Sequence, residues 1–155
     1  MYKIGNYEFE NFKYRPGHRA NYGILTKPGN EWGMKYSPTY SYDREYEVLK
    51  NFSHPQIPKR YESGTGRGEL YEDEKLVLKE YYIVLQNFEG EDLVEHYKQK
   101  GIPDSNEMEN VIKYITSTAE PLQYLHSKGY VHADIKPGHL ILNPDSGVIG
   151  LIDLE

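Results

Sequence analysis

Cysteine is absent from the 155 residues, so neither a disulfide framework nor a thiolate metal site is open to this chain. Long apolar runs are absent too. Nothing approaches the roughly 18 consecutive apolar residues of a membrane-spanning helix, and the opening Met1-Tyr2-Lys3-Ile4-Gly5-Asn6 lacks the apolar core of a secretory signal. The expectation is a cytoplasmic chain with no membrane partner. Positive charge is scarce: 18 Lys and Arg against 24 Asp and Glu leave a net charge of −6. That balance argues against nucleic acid as a partner, because displacing phosphate counterions calls for a basic patch. What the chain does have is tyrosine, 16 of them, each an apolar ring with a hydroxyl that suits a half-exposed β-surface or a contact face. A composition 37% hydrophobic and 27% charged suits one compact domain or two small lobes.

From Tyr7 to Tyr36, aromatic and β-branched residues alternate with polar ones between the turn-formers Pro16-Gly17 and Pro28-Gly29-Asn30, which predicts three antiparallel strands. The period then changes. Tyr42, Tyr46, Leu49 and Phe52 fall at helical spacing, with Ser41 as N-cap and Pro55 as the stop. Gly64, Gly66 and Gly68 read as a break, followed by strands over Leu76–Leu78 and Tyr81–Leu85. A turn at Glu89-Gly90-Glu91-Asp92 leads into a short helix over Asp92–Lys100. A long helix over Asn106–Ser127 follows, with Met108, Val111, Ile112, Ile115, Leu122 and Leu125 as its apolar contacts and Pro121 as a kink. Two apolar runs, Leu140–Leu142 and Val148–Ile152, flank Asn143-Pro144-Asp145-Ser146-Gly147, a hairpin signal.

The segment richest in chemistry is Tyr130-Val131-His132-Ala133-Asp134-Ile135-Lys136-Pro137-Gly138-His139-Leu140-Ile141-Leu142, followed by Gly150-Leu151-Ile152-Asp153-Leu154-Glu155. An isolated H-x-D is usually a turn. Here the stretch resembles the catalytic loop and metal-binding strand end of protein kinases, H-R-D-L-K-P-x-N and D-F-G, with a hairpin of family size between the two aspartates. Upstream, Asn21-Tyr22-Gly23-Ile24-Leu25 resembles the end of the glycine-rich loop, and Trp32-Gly33-Met34-Lys35 the V-A-I-K strand. Glu45, ten residues before Pro55 of His54-Pro55-Gln56-Ile57, stands where the family places the helix glutamate paired with that lysine. Taken alone, Lys35 and Glu45 would be a surface lysine and a solvated helix acid. Tyr82 to Leu93 resembles the inter-lobe hinge.

The resemblance implies an α+β, protein-kinase-like fold: an antiparallel β N-lobe with one helix and the hinge over 1–88, and a reduced helical C-lobe over 89–155 with a long helix, catalytic loop and β-hairpin. It implies ATP with Mg2+ or Mn2+. Lys35 would hold the α- and β-phosphates and Glu45 would pair with it. Gly23, Leu25, Leu85 and Ile141 would line the nucleotide pocket, backbone groups of Gln86 and Phe88 would meet the adenine edge, and Asp92 would accept from a ribose hydroxyl. Asp134 would position the acceptor hydroxyl, Lys136 would steady the transferred phosphoryl and Asp153 would hold the cation. Lys35 and Asp153 are expected as cleft residues whose removal costs little stability.

The pattern is broken in four places. His18 and Ala20 replace the first two loop glycines, which hinders close backbone approach to phosphate. Ala133 replaces the arginine that pairs with a phosphorylated activation loop. His139 replaces the asparagine that holds a second magnesium, and imidazole is a poor partner for that hard ion. Asp153-Leu154-Glu155 replaces D-F-G, and the chain ends there. Read as a family member truncated after that motif, it lacks the protein-substrate platform. A protein partner or self-association is then expected to cover the underside of the long helix. Three functions follow. The first is a minimal serine/threonine kinase. The second is a pseudokinase module that binds and regulates a partner. The third is a small-molecule phosphotransferase, against which Lys136, two residues after Asp134, stands. His132, His139 and Asp153 also compose a candidate transition-metal set, although the family packs His132 behind the loop.

Overall fold

The computed structural model describes residues 2–4, 6–9, 11–13, 21–27, 30–70, 76–101 and 103–154; at 2–3, 8–9, 11–13, 21–27, 30–31, 67–70 and 76–79 it describes the backbone alone. The loop positions His18 and Ala20 lie outside the described residues, as do both sequence-predicted turns at 16–17 and 28–29 and the terminal Glu155. The chain divides into two compact units: Met1–Lys50 with Lys59–Asn87, and Asn51–Pro58 with Phe88–Glu155.

The first unit is a seven-stranded sheet with one helix. Its strands are β1 (Tyr2–Ile4), β2 (Tyr7–Phe9), β3 (Asn11–Lys13), β4 (Asn21–Lys27), β5 (Asn30–Ser37), β6 (Arg60–Leu70) and β7 (Leu76–Gln86), in the order β2-β1-β6-β7-β5-β4-β3. Every pairing is antiparallel. The three strands expected between Tyr7 and Tyr36 are four, preceded by a further one at Tyr2–Ile4. The glycines expected to interrupt the chain sit inside β6. Gly64 lies opposite Tyr82, and a Cβ there would come 3.1 Å from the Tyr82 hydroxyl, so the missing side chain makes room for a ring and the ladder runs on. The two short strands expected over 76–85 are the single β7.

The face of β5 that carries Met34 and Tyr36 packs with Ile4 and Val84 into the core of this unit, with Tyr7, Trp32 and Tyr82 against it. Side chains alternate along a strand, so Lys35 points to the opposite face. Helix α1 (Asp43–Leu49) is shorter than the expected 41–52. Its N-cap is Tyr42, not Ser41; the Ser41 hydroxyl instead donates to the Asp43 carboxylate at 2.8 Å and accepts from the Asp43 N–H.

The second unit contains β8 (Glu91–Asp92), α2 (Leu93–Lys100), α3 (Met108–Ser127), a 3-10 turn (Pro137–His139), β9 (Leu140–Leu142) and β10 (Ile149–Leu151), with β10-β9-β8 forming a small antiparallel sheet. Asp92 caps α2 by accepting from the Glu95 N–H at 3.0 Å. In the β9–β10 turn, Asn143 Oδ1 accepts from the N–H groups of Asp145 and Ser146, which is how an Asx turn closes a hairpin. Ile57, Leu93, Leu125, Leu140, Leu142, Ile149, Leu151 and Leu154 are the buried apolar residues of this unit.

Helix α3 departs from the expected contacts. Leu125 is fully buried, but Met108, Ile112 and Ile115 are exposed, Ile115 at 65%; the buried stripe is Thr118, Pro121 and Leu125. Pro121 has no N–H for the carbonyl one turn earlier. That carbonyl, of Ser117, accepts instead from Gln56 Nε2 at 3.0 Å, while the same amide donates to the Ile149 carbonyl at 2.8 Å and the Gln56 carbonyl accepts from the Leu151 N–H. One buried glutamine thus ties the Asn51–Pro58 segment to helix and hairpin. α3 ends in a Schellman pair, Tyr130 N–H to the Leu125 carbonyl and Gly129 N–H to the His126 carbonyl, with Gly129 at φ 78°. A Cβ there would meet nothing within 4 Å, so glycine is required for its backbone angle, and the chain is turned straight into Tyr130 and His132.

Candidate active site

In the first unit, Lys35 of β5 and Glu45 of α1 form an ion pair with Nζ–Oε1 at 2.6 Å. Both are buried, Lys35 at 8% exposure and Glu45 at 2%. Lys35 was expected as a cleft residue removable at little cost; the structure shows it buried and paired, so its loss would take this cation from the buried Glu45 carboxylate. β5 pairs with β7 so that Lys35 lies opposite Ile83 and Gly33 opposite Leu85. Leu85 is buried. The Gln86 N–H donates to the Lys59 carbonyl at 2.8 Å and its side-chain oxygen accepts from the Lys59 N–H at 3.3 Å, so that amide is already engaged. Gly23 and Leu25 stand on β4 opposite Met34 and Trp32.

The second unit carries the carboxylates. Asp134 is exposed (62%) and Lys136, half exposed, reaches it with Nζ–Oδ2 at 2.7 Å. The Lys136 ammonium holds the Asp134 carboxyl below the usual carboxylate range, mainly through its hydrogen bond, with smaller help from its charge. The loop that presents it is strained. Among the described residues, Ala133 and Asp153 are the two non-glycine residues with positive φ, both 63°. Such a conformation costs about 1–3 kcal/mol per residue and persists where neighbours over-determine it, which is common at functional sites.

Those neighbours are two histidines. His132 is buried; its Nδ1 accepts from the Asp134 N–H at 3.4 Å and its Nε2 meets the Ile152 carbonyl at 2.8 Å. An accepting Nδ1 leaves the hydrogen on Nε2, so both ring nitrogens are occupied and His132 drops out of the transition-metal set. His139, carried inward by the 3-10 turn, places Nδ1 3.0 Å from the Asp134 carbonyl and Nε2 2.9 Å from Asp153 Oδ2. Its backbone carbonyl accepts from the Ile152 N–H at 3.0 Å. One histidine therefore binds the catalytic-type loop to the strand end that bears Asp153.

Of the remaining expected residues, Asp92 already caps α2. Phe88 packs on Gly150, where a Cβ would collide with the Phe88 ring. Phe88 and Ile141 line one cavity with Pro55, Gln56, Val148 and Gly150. Sequence reasoning missed Gln56 and Lys59; the absent N–H of Pro121 was the available signal for the first. Among the described residues no group of three or more His, Cys, Asp or Glu forms a metal cluster, and no helix is long and apolar enough to cross a membrane. As a magnesium site, the Asp153 carboxylate fits and the His139 imidazole does not, since Mg2+ prefers oxygen donors.

Comparison with known proteins agrees with this arrangement. The model of the protein kinase domain matches residues 27–155. A serine/threonine-protein kinase, cds1, of Schizosaccharomyces pombe is 28% identical over 107 residues, 69% of this chain and 20% of that protein. The probable serine/threonine-protein kinase YbdM of Bacillus subtilis is 30% identical over 112 residues, 72% of this chain and 38% of the relative. This chain therefore spans well under half the length of these curated relatives. In fold it is similar to Rad53 1–466 in complex with AMP-PNP, with TM-score 0.62 at 24% identity over 99% of this chain and 38% of that one. The PknI kinase domain of Mycobacterium tuberculosis gives TM-score 0.71 at 20% identity over 98% of this chain and 59% of that one. With an α+β fold, a lysine–glutamate pair and two loop aspartates in family order, the chain belongs to the protein kinase domain family.

Proposed function

We propose that this chain binds ATP with a divalent cation and transfers the γ-phosphoryl group to a serine or threonine hydroxyl. Lys35, held by Glu45, would take the α- and β-phosphates. Leu85, Gly23, Leu25 and Ile141 would wall the base. Gln86 would serve the adenine edge through its carbonyl, its N–H being engaged by Lys59, and Phe88 through its backbone. Asp92 would accept from a ribose hydroxyl through its carboxylate. Asp153 would hold the cation, whose chemistry is charge neutralisation on the phosphates.

The observation that carries the reading is the placing of Asp134: an exposed carboxylate with the Lys136 ammonium 2.7 Å away on a strained loop. A carboxylate with a lowered pKa is a weak base. Phosphoryl transfer through a loose transition state asks little of base strength and much of position, and Lys136 supplies positive charge beside the place where the hydroxyl would sit.

The test is calorimetry of ATP with and without Mg2+ or Mn2+ on the native chain and Asp153→Ala, followed by radiolabelled transfer to serine and threonine peptides. Metal-dependent binding lost in the variant, with labelled peptide, is the expected result. Absence of ATP binding at every metal concentration overturns the reading. One observation favours a second reading, a regulatory module without catalysis: His139 Nε2 lies against the carboxylate that should hold the cation. Nucleotide binding without any transfer is the outcome that reading predicts.

A further inference from the structure

Strand β10 is three residues long and lies at the edge of its sheet, paired with β9 through Ile149↔Leu142, Gly150↔Ile141 and Leu151↔Leu140. Its other side is met by Gln56. The Gln56 carbonyl accepts from the Leu151 N–H at 2.8 Å, and Gln56 Nε2 donates to the Ile149 carbonyl at 2.8 Å. A residue of a neighbouring parallel strand would offer a carbonyl and an N–H to the same two groups. The Gln56 backbone N–H is turned to His54 Nδ1 at 3.2 Å, so the side-chain amide stands in for it.

We propose that Gln56 is a positioning residue for Asp153: by completing the ladder on the free side of β10 it fixes the strand end from which the cation-binding carboxylate is presented. This rests on the reading that Asp153 holds the cation of a bound nucleotide.

Asp153 needs such support. Its φ of 63° is a conformation that persists where neighbours over-determine it. Just before it, the Ile152 N–H is held by the His139 carbonyl and the Ile152 carbonyl by His132 Nε2. Those bonds fix the residue after the strand, and Gln56 fixes the strand itself at Ile149 and Leu151. The amide that does so has no hydrogen to spare. Its other N–H goes to the Ser117 carbonyl at 3.0 Å, the acceptor that Pro121 leaves open. Gln56 is buried, and turning its amide away would strand two carbonyls, one of them on the fully buried Ile149, at the cost of unpaired acceptors.

The experiment uses the whole chain as native protein, Gln56→Met and Pro121→Ala. Methionine keeps the length of the side chain and the backbone bond to Leu151 but donates nothing. Alanine at 121 gives the Ser117 carbonyl a helix N–H and leaves the β10 bonds alone, which tests the helix contact apart from the strand. Calorimetry reads the affinity of a non-hydrolysable ATP analogue with and without Mg2+, and carboxyl-carbon NMR reads Asp153 and Asp134 without nucleotide. We expect Gln56→Met to keep the metal-free affinity, to lose roughly 10- to 100-fold of the gain that Mg2+ gives, the usual size of an effect from behind a metal ligand, and to shift the Asp153 resonance while that of Asp134 stays. Pro121→Ala should match the native protein in all three. A general loosening would move both resonances and act in both variants; that result, or an undiminished Mg2+ gain in Gln56→Met, overturns the inference and leaves the nucleotide reading intact. If the native protein binds no analogue, the nucleotide reading fails and the two resonances alone decide whether Gln56 holds Asp153, an unmoved Asp153 signal overturning it. Where Gln56→Met fails to fold, Gln56→Asn, whose amide is one methylene short of the two carbonyls, is read in the same way.

Discussion

Two ion pairs of nearly equal length occupy opposite surroundings. Lys35–Glu45, at 2.6 Å, is buried on both sides; Asp134–Lys136, at 2.7 Å, has side chains 62% and 50% exposed. Distance alone would rank them equal. In the first pair both charges are held away from water, so removing either takes a close counter-charge from a buried ion. In the second, water solvates both groups and screens their attraction, so either can turn to a third party at little cost. The buried pair therefore orients, and the exposed pair is free to react. A phosphoryl-transfer protein needs one of each: a fixed cation for the phosphates that stay, and a mobile carboxylate and ammonium for the groups that move.

The largest effect follows from removing half of the buried pair. Lys35→Met should lower stability in urea by about 3–5 kcal/mol, because Glu45 is left buried and charged or must take up a proton. Combining it with Glu45→Leu should recover most of that loss, since a well-packed apolar pair replaces a buried ionic one at little or no cost. Nucleotide binding should be absent from both variants. An unchanged urea midpoint for Lys35→Met would place the lysine in solvent and erase the contrast.

The exposed pair should behave in the reverse way. Asp134→Asn should cut phosphoryl transfer by about 10²–10⁴ with the melting temperature unchanged. Lys136→Ala should let the Asp134 carboxyl titrate closer to its ordinary range, because the hydrogen bond and charge of this lysine are the main causes of the lowered value. Carboxyl-carbon NMR across an acid titration reads this directly. A melting-temperature fall in either variant would mean that the loop is stabilised by the pair and not by its two histidines.

The order of the chemistry was legible in the sequence because it is local: Asp134, Lys136 and Asp153 are set by a loop and a hairpin, and Asx turns, N-caps and proline stops act over a few residues. The start of α2 at Asp92 and the β9–β10 turn at Asn143 stand where the sequence placed them, whereas the N-cap expected at Ser41 falls to Tyr42. What the sequence hid is long-range. Gly64 looks like a break until Tyr82 is known to lie over it, and β6 continues only because β7 pairs with it along its length. Met108, Ile112 and Ile115 fit the helical period as well as Leu125 does, yet only packing says which stripe is buried. Gln56 itself gave no sign of its tie to Ser117, 61 positions away in the numbering. His139 read as a defect in the family pattern. Its two anchors, one a backbone carbonyl, make it a deliberate join.

Glu62 supplies a third environment between the two extremes and the smallest predicted effect. Its two carboxylate oxygens accept from the hydroxyls of Tyr7 and Tyr82, both at 2.7 Å. Partial burial is the main cause that pushes the Tyr82 phenol up to about 12, with the hydrogen bond to Glu62 and its charge adding to it; the Tyr7 phenol is raised for the same reasons, and the two hydrogen bonds lower the Glu62 carboxyl. A phenol whose pKa is higher in the folded than in the unfolded chain contributes stability that is whole below the unfolded value near 10 and is lost as pH rises through the folded value. Stability should therefore decline between about pH 10 and 12, and Glu62→Gln, which keeps a hydrogen-bond acceptor but removes the charge, should shrink that decline without abolishing it, since burial remains. Ultraviolet titration of phenolate absorbance, alongside urea midpoints at each pH, reads both. If Glu62→Gln left the alkaline decline unchanged, the charge of this exposed carboxylate would count for as little as that of the Asp134–Lys136 pair, and surroundings would sort these groups into two kinds and not a graded series.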